Sequence, residues 1–231
     1  MPVAWSYAYL RRFHGAAMRT LVPTITQRDK LRARGFENLR LWARGVDTAI
    51  FNTHEAVQWD YPRPLAIYMG RVAVEKNIEA FLKLPDLATK LVIGDGPQRE
   101  RLAARYKDCH FLGPLYGREL ARHLAAGDVF VFPSRTDTFG LVLLEALACG
   151  LPVAAYPVQG PLDVIVPGVS GVLDEDLGAA VRGALCLSRA ACVAHAQRYS
   201  WAACSADFLR YLAPIPASGG GHNALSKTGV T

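Results

Sequence analysis

From Leu65 to Asp174 short, continuous apolar runs alternate with segments of helical pattern, and few folds accommodate that rhythm. LAIYMG precedes EKNIEAFLKL, KLVIGDG precedes QRERLAARYK, CHFLG precedes GRELARHLAAG, DVFVFPS precedes FGLVLLEALACG, and PVAAYP precedes GPLDVIV. The apolar runs are bounded by Gly or Pro and do not alternate with polar residues, as befits strands whose sheet is covered by helices on both faces. The expected fold class is therefore α/β, a doubly wound parallel sheet. SGVLD, from Ser170 to Asp174, adds a sixth strand, and AAVRGALCL and WAACSADFLRYL continue as helices.

The segment ahead of this rhythm has a different character. Within residues 1–60, RTLVPT, TQRDKLRARGF and LRLWARGVD read as strand, helix and strand, with Gly35 placed to end the helix. One such unit buries too little surface to stand alone, so it is expected to pack on the main sheet or on something further. Residues 61–212 form the main unit. The remainder, 213–231, is rich in Gly, Pro and Ser and poor in large apolar residues, and is expected to be a disordered tail.

Charge is unevenly spread. The first 45 residues hold nine Arg and Lys against Asp29 and Glu37, while the whole chain nets +6. A basic segment of this kind suits anionic lipid or a phosphorylated substrate, and an ordinary solvated helix face accounts for it equally well. Nucleic acid is not an expected partner, because the basic residues lack interleaved stacking aromatics. No apolar run approaches the twenty residues of a membrane span. The N-terminus places its aromatics before its arginines, unlike a secretory leader, so the expected location is the cytoplasm, at most peripheral at the inner membrane face. Five cysteines form no CxxC pair and sit mostly in apolar segments, which reads as reduced core residues and no metal site.

Ligands of parallel α/β sheets bind where strands end, so the residues just after each apolar run carry the information. Arg71 and Lys76 follow Gly70 after the first run; a guanidinium fork and an ammonium point charge suit a diphosphate, although surface charges explain them as well. GDGP, from Gly94, permits a tight turn and close ligand approach, but a dinucleotide fingerprint would need Gly where Arg99 stands, which argues against a nicotinamide-dependent oxidoreductase. Phe111, beside Gly113, could stack on a nucleobase or belong to the core. His110 has no acid or nucleophile spaced to pair with it.

The strongest signal is SRTDTFGLVLLEALACG, Ser134 to Gly150. Asp137 or Thr138 stands where a helix N-cap is wanted, so the amides of Phe139, Gly140 and Leu141 are expected to open a helix suited to phosphate or sugar oxygen. Glu145 is the sole polar side chain between Phe139 and Cys149. A carboxylate in apolar surroundings is costly unless hydrogen-bonded, so its partner is expected from elsewhere.

Taken together, GRVAVEK, GDGPQ, FLGPLYG and PSRTDTFGLVLLEALACGLPVA resemble the donor-binding half of retaining glycosyltransferases of the GT-B fold, in the large family four. The α-mannosyltransferase and sulfoquinovosyltransferase-like branch is the most similar, and the match runs from about Arg19 to Leu212. The resemblance implies that Arg71 and Lys76 hold a donor diphosphate and that Phe139 to Leu141 face donor sugar and phosphate, with Gly70, Gly94 and Phe111 around the nucleotide. Asp137 takes the place of the first Glu of the family's E-x7-E pattern, on sugar hydroxyls, and Glu145 matches the second, on ribose. Arg71, Lys76 and Asp137 are thereby the implied catalytic residues.

The implied donor is a GDP- or UDP-linked hexose, mannose foremost, with a lipid or saccharide acceptor and no cofactor or metal ion. The family's first, acceptor-binding domain is largely missing from this sequence. A truncated product is therefore the expectation, and the alternative is a non-catalytic nucleotide-sugar-binding module that needs a separate acceptor domain.

Overall fold

The computed structural model describes residues 3–85, 87–137 and 139–213. The tail expected over 213–231 lies, but for Ala213, outside the described residues. Helix α1 (Val3–Gly15) leads into strand β1 (Thr20–Val22), helix α2 (Ile25–Arg32) and strand β2 (Leu39–Leu41). The main unit follows as β3 (Leu65–Met69), a 3-10 turn (Val74–Lys76), α3 (Ile78–Leu82), β4 (Thr89–Ile93), α4 (Arg99–Arg105), β5 (Cys109–Gly113), α5 (Gly117–Ala125) and β6 (Val129–Phe132). It closes with α6 (Leu141–Ala148), β7 (Val153–Ala155), α7 (Gln159–Val164), β8 (Gly171–Leu173), α8 (Leu177–Ala184), α9 (Arg189–Gln197) and α10 (Trp201–Tyr211).

Six of these strands make one parallel sheet in the order β5-β4-β3-β6-β7-β8, the doubly wound arrangement expected from the alternating runs. Every residue of β3, β4, β6 and β7 is buried, which is why their sequences show no polar alternation. Helices α5, α6 and α9 cover one face through Leu124, Leu143, Leu147 and Cys192. Helices α3, α4 and α8 cover the other through Phe81, Leu102 and Val181. Phe130, fully buried in β6, anchors the first layer, and truncating such a ring costs about 3 to 5 kcal/mol. All five cysteines are free and four of them are buried.

EKNIEAFLKL reads as one helix but is broken in the structure. Asn77 adopts a left-handed conformation, φ 51°, between the 3-10 turn and α3. Asn tolerates that geometry better than most residues, and its side-chain amide is held by the Pro133 carbonyl at 3.1 Å.

The first segment folds as a strand-helix-strand unit with its own two-stranded parallel sheet and a small cluster of Val22, Phe36 and Leu39. It is fastened at two places. Asp163 of α7 accepts from the backbone N and Oγ1 of Thr26 at 3.0 and 2.7 Å. Trp42 Nε1 donates to the Cys204 carbonyl of α10 at 3.0 Å, and its ring packs on Phe208.

Candidate functional site

Strands β3 and β6 are neighbours, but the sheet grows from them in opposite directions. The connections leaving their carboxyl ends therefore diverge and open a crevice. A cleft of about 410 Å³ lies there. Tyr68, Met69, Gly70, Arg71 and Lys76 wall it from the β3 side; Phe132, Ser134 and Asp137 follow β6; Phe139 to Val142 start α6; and Arg44 reaches in from the segment after β2.

The two loops are cross-linked over the cleft. Besides the bond from Asn77 to Pro133, Thr136 Oγ1 donates to the Glu75 carbonyl at 3.3 Å. Lys76 Nζ donates to both carboxylate oxygens of Asp137 at 2.8 Å each. Arg71 pairs with Glu75 at 3.5 Å, whereas Arg44 has no ion-pair partner among the described residues. Tyr68 donates its hydroxyl to the Arg71 carbonyl at 2.7 Å. Burial first, then the Asp137 and Glu75 carboxylates, raise the Tyr68 phenol well above its ordinary value, so it stays a donor and fixes the loop that carries Arg71.

Helix α6 begins later than the sequence suggests. Its N-cap is Gly140, at φ 74°, and not Asp137. Asp137 is unavailable for capping because its carboxylate is engaged by Lys76, sixty-one positions away. Asp137 and Glu145 are therefore not joined by continuous helix. Thr138, the other capping candidate, lies outside the described residues. A Cβ at Gly140 would stand 3.0 Å from the Leu143 side chain, and one at Gly160 of α7 would stand 3.1 Å from the Asp137 carbonyl, so small residues let α7 support this loop.

Gly70, Arg71, Lys76, Asp137, Phe139, Gly140 and Leu141 all line the cleft, as the sequence reading placed them. Gly94 does not. A Cβ there would stand 2.0 Å from the Gly70 carbonyl, so its lack of side chain lets the β4 loop lie on the β3 loop. Phe111 also stays off the cleft wall, because strand alternation turns it into the layer formed by α3, α4 and α8. Glu145 is likewise not among the residues that wall the cleft; it lies one turn beyond Leu141 on the same helix face, partly buried, with no hydrogen-bond partner among the described residues. Burial raises its carboxyl above the ordinary range.

Arg44, Tyr68, Phe132 and Ser134 also line the cleft and were not singled out from the sequence. Tyr68 and Phe132 read as strand interior, and Arg44 precedes the main sheet by some twenty positions. No local signal marks them. Among the described residues no three His, Cys, Asp or Glu side chains are grouped to hold a metal ion.

The family model of the group 1 glycosyl transferases matches residues 63–188, more than half of the chain. The chain is 39% identical over 176 residues to a GDP-mannose-dependent alpha-mannosyltransferase of Mycobacterium tuberculosis, covering 73% of this chain and 47% of that one. It is 40% identical over 176 residues to a sulfoquinovosyl transferase of Arabidopsis thaliana, covering 69% and 34%. It thus spans less than half the length of either relative. Sucrose-phosphate synthase from Thermosynechococcus elongatus superposes with a TM-score of 0.73 at 23% identity, over 88% of this chain and 60% of that one. Anabaena HepE in complex with UDP gives 0.72 at 16%, over 90% and 67%. At such identities the likeness concerns the fold, which is that of the GT-B enzymes.

Proposed function

The chain belongs to the group 1 glycosyltransferases, and from that premise we propose that it forms the donor-binding part of a retaining transferase that moves a hexose, mannose foremost, from a nucleoside-diphosphate sugar to a lipid or saccharide acceptor. The observation that carries this reading is the convergence of Arg71, Lys76 and Asp137 with the start of α6 at the β3–β6 crevice. Arg71 offers a planar fork and Lys76 a compact charge, and both meet the diphosphate oxygens, with Arg44 as a third cation. As the glycosyl bond breaks, negative charge grows on the departing diphosphate, and fixed cations in a walled cleft stabilise it more than they stabilise the ground state.

Phe139, Gly140 and Leu141 flank the point where α6 leaves its first N–H groups without intrahelical partners, which suits phosphate or sugar oxygen. Asp137 accepts from hydroxyls of the transferred sugar. Glu145, one turn along α6 from Leu141, accepts from the ribose hydroxyls. Two such charge-assisted bonds add about 1.5 to 3 kcal/mol each.

A lipid acceptor at an anionic membrane surface, on the cytoplasmic side, is the acceptor reading we favour. Trp5, Tyr9 and Phe13 recur every fourth residue on α1 and are 73, 71 and 67% exposed, beside Arg11 and Arg12. Aromatic residues with adjacent basic charge suit the headgroup region of such a surface. No single helix among the described residues is long and apolar enough to cross a membrane.

Calorimetric titration of the chain with GDP and UDP, repeated on Glu145→Ala, tests the donor site. Saturable binding of one mononucleotide, weakened at least tenfold by the substitution, is the expected result. Heat of binding that ignores the substitution would remove Glu145 from the site, and no heat with either nucleotide would remove the donor reading.

A further inference from the structure

Arg71 and Lys76, the two cations assigned above to the diphosphate, are each held by a carboxylate. Arg71 leans on Glu75 at 3.5 Å, and both groups are exposed, so that pair is weak. The pair between Lys76 and Asp137 is of another kind. It has two 2.8 Å contacts, and the side chains are only 27 and 22% exposed. It also joins the loops after β3 and β6, alongside the bonds from Asn77 to Pro133 and from Thr136 to Glu75.

An anion that approaches Lys76 therefore competes with Asp137. If the anion wins, Asp137 is left as a half-buried carboxylate facing a second negative group, which is unfavourable unless something donates to it. A bare diphosphate presents chiefly acceptor oxygens. A sugar attached to it has several hydroxyls, placed on the far side of the same phosphate. From this we propose that the pair between Lys76 and Asp137 is a partner-exchange device that makes diphosphate recognition conditional on the sugar: the diphosphate takes Lys76 only at full strength when sugar hydroxyls take Asp137. Asp137 thereby sets specificity for a glycosylated diphosphate over free nucleotide and inorganic anions. This rests on the donor-site reading above, and adds to it a reason why an acid sits among the phosphate ligands.

The exchange makes a prediction that a simple sugar contact does not. If Asp137 only bound the sugar, its replacement would weaken nucleotide-sugar binding and leave bare anions unaffected. If it also holds Lys76, Asp137→Asn frees the ammonium, and bare anions bind more tightly. Pyrophosphate, UDP, GDP, UDP-glucose and GDP-mannose are titrated into wild type, Asp137→Asn, Lys76→Met and the double variant, with thermal melts to confirm folding.

The expected result is at least a tenfold gain in pyrophosphate affinity for Asp137→Asn. The preference for the hexose-linked nucleotide over the bare one should fall at least tenfold, and the pyrophosphate gain should not appear in the Lys76→Met background. Unchanged pyrophosphate affinity in a folded Asp137→Asn protein overturns the proposal, as does a gain that survives Lys76→Met. If no nucleotide binds any variant while pyrophosphate still shows the Lys76-dependent gain, the pair masks Lys76 but the donor reading fails. If no anion, pyrophosphate included, binds even Asp137→Asn, the proposal fails with it. Should Asp137→Asn not fold, Asp137→Ser is put through the same series and judged by the same outcomes.

Discussion

Glu145 is an acid whose chemistry is set by burial. Burial raises its carboxyl, so the folded chain keeps that proton at pH values where the unfolded chain has released it. Stability at this position is accordingly lost as pH rises from the ordinary carboxylate value of about 4.3 through the raised one, and the ionised group is a full burden above both. Glu145→Gln should therefore melt higher than wild type at pH 8, and the difference should vanish near pH 4. A bound nucleotide whose hydroxyls donate to Glu145 favours the ionised form. Its binding should then release protons and weaken as pH falls through the raised value, a linkage that Gln abolishes; titration in buffers of different ionisation heat reads it directly. The anomaly of Glu145 was legible because a lone acid in an apolar helix needs a partner. The partner of Asp137 was not, since nothing near position 137 points to a lysine at 76, and the same blindness to distant pairs misplaced the start of α6.

At the scale of elements, the strands were legible because β3, β4, β6 and β7 are buried throughout and so must be apolar throughout. The connections were harder. The break at Asn77 serves a bond to Pro133, a tertiary demand that overrides local helix propensity. Helix α1 was not legible at all, because its large apolar residues face outward and leave no core-directed periodicity. Gly94 has a packing role that the sequence did not show: the Gly70 carbonyl lies where any side chain would stand. Gly94→Ala should cost about 2 to 4 kcal/mol in urea denaturation, from steric overlap added to backbone strain at φ 135°. Gly117, at φ 53° with nothing within 4 Å of where a methyl group would stand, should lose only about 1 kcal/mol on the same substitution. Equal losses at the two sites would mean that the contact between the β3 and β4 loops is not tight in solution.

For the molecule as a whole, the uneven charge and the exposed row of Trp5, Tyr9 and Phe13 lie in the same N-terminal segment. If that segment meets an anionic membrane, the chain should co-sediment with phosphatidylserine vesicles and not with neutral ones, and should detach as salt rises past the point where the screening length is about 10 Å. Replacing Trp5, Tyr9 and Phe13 together by Ser should abolish co-sedimentation while leaving nucleotide titration unchanged; retention by neutral vesicles would count against the lipid reading. Composition revealed the charge, but only the fold could show the aromatics sharing one exposed helix face. The way this segment is joined to the main sheet has a mechanical corollary. The Val46 amide is bonded to the Tyr199 carbonyl at 2.8 Å, just ahead of α10, while Thr26 is bonded to Asp163 of α7. With fastenings on two different helices the segment cannot turn about either one alone, so Arg44, carried two residues before Val46, keeps its station at the cleft.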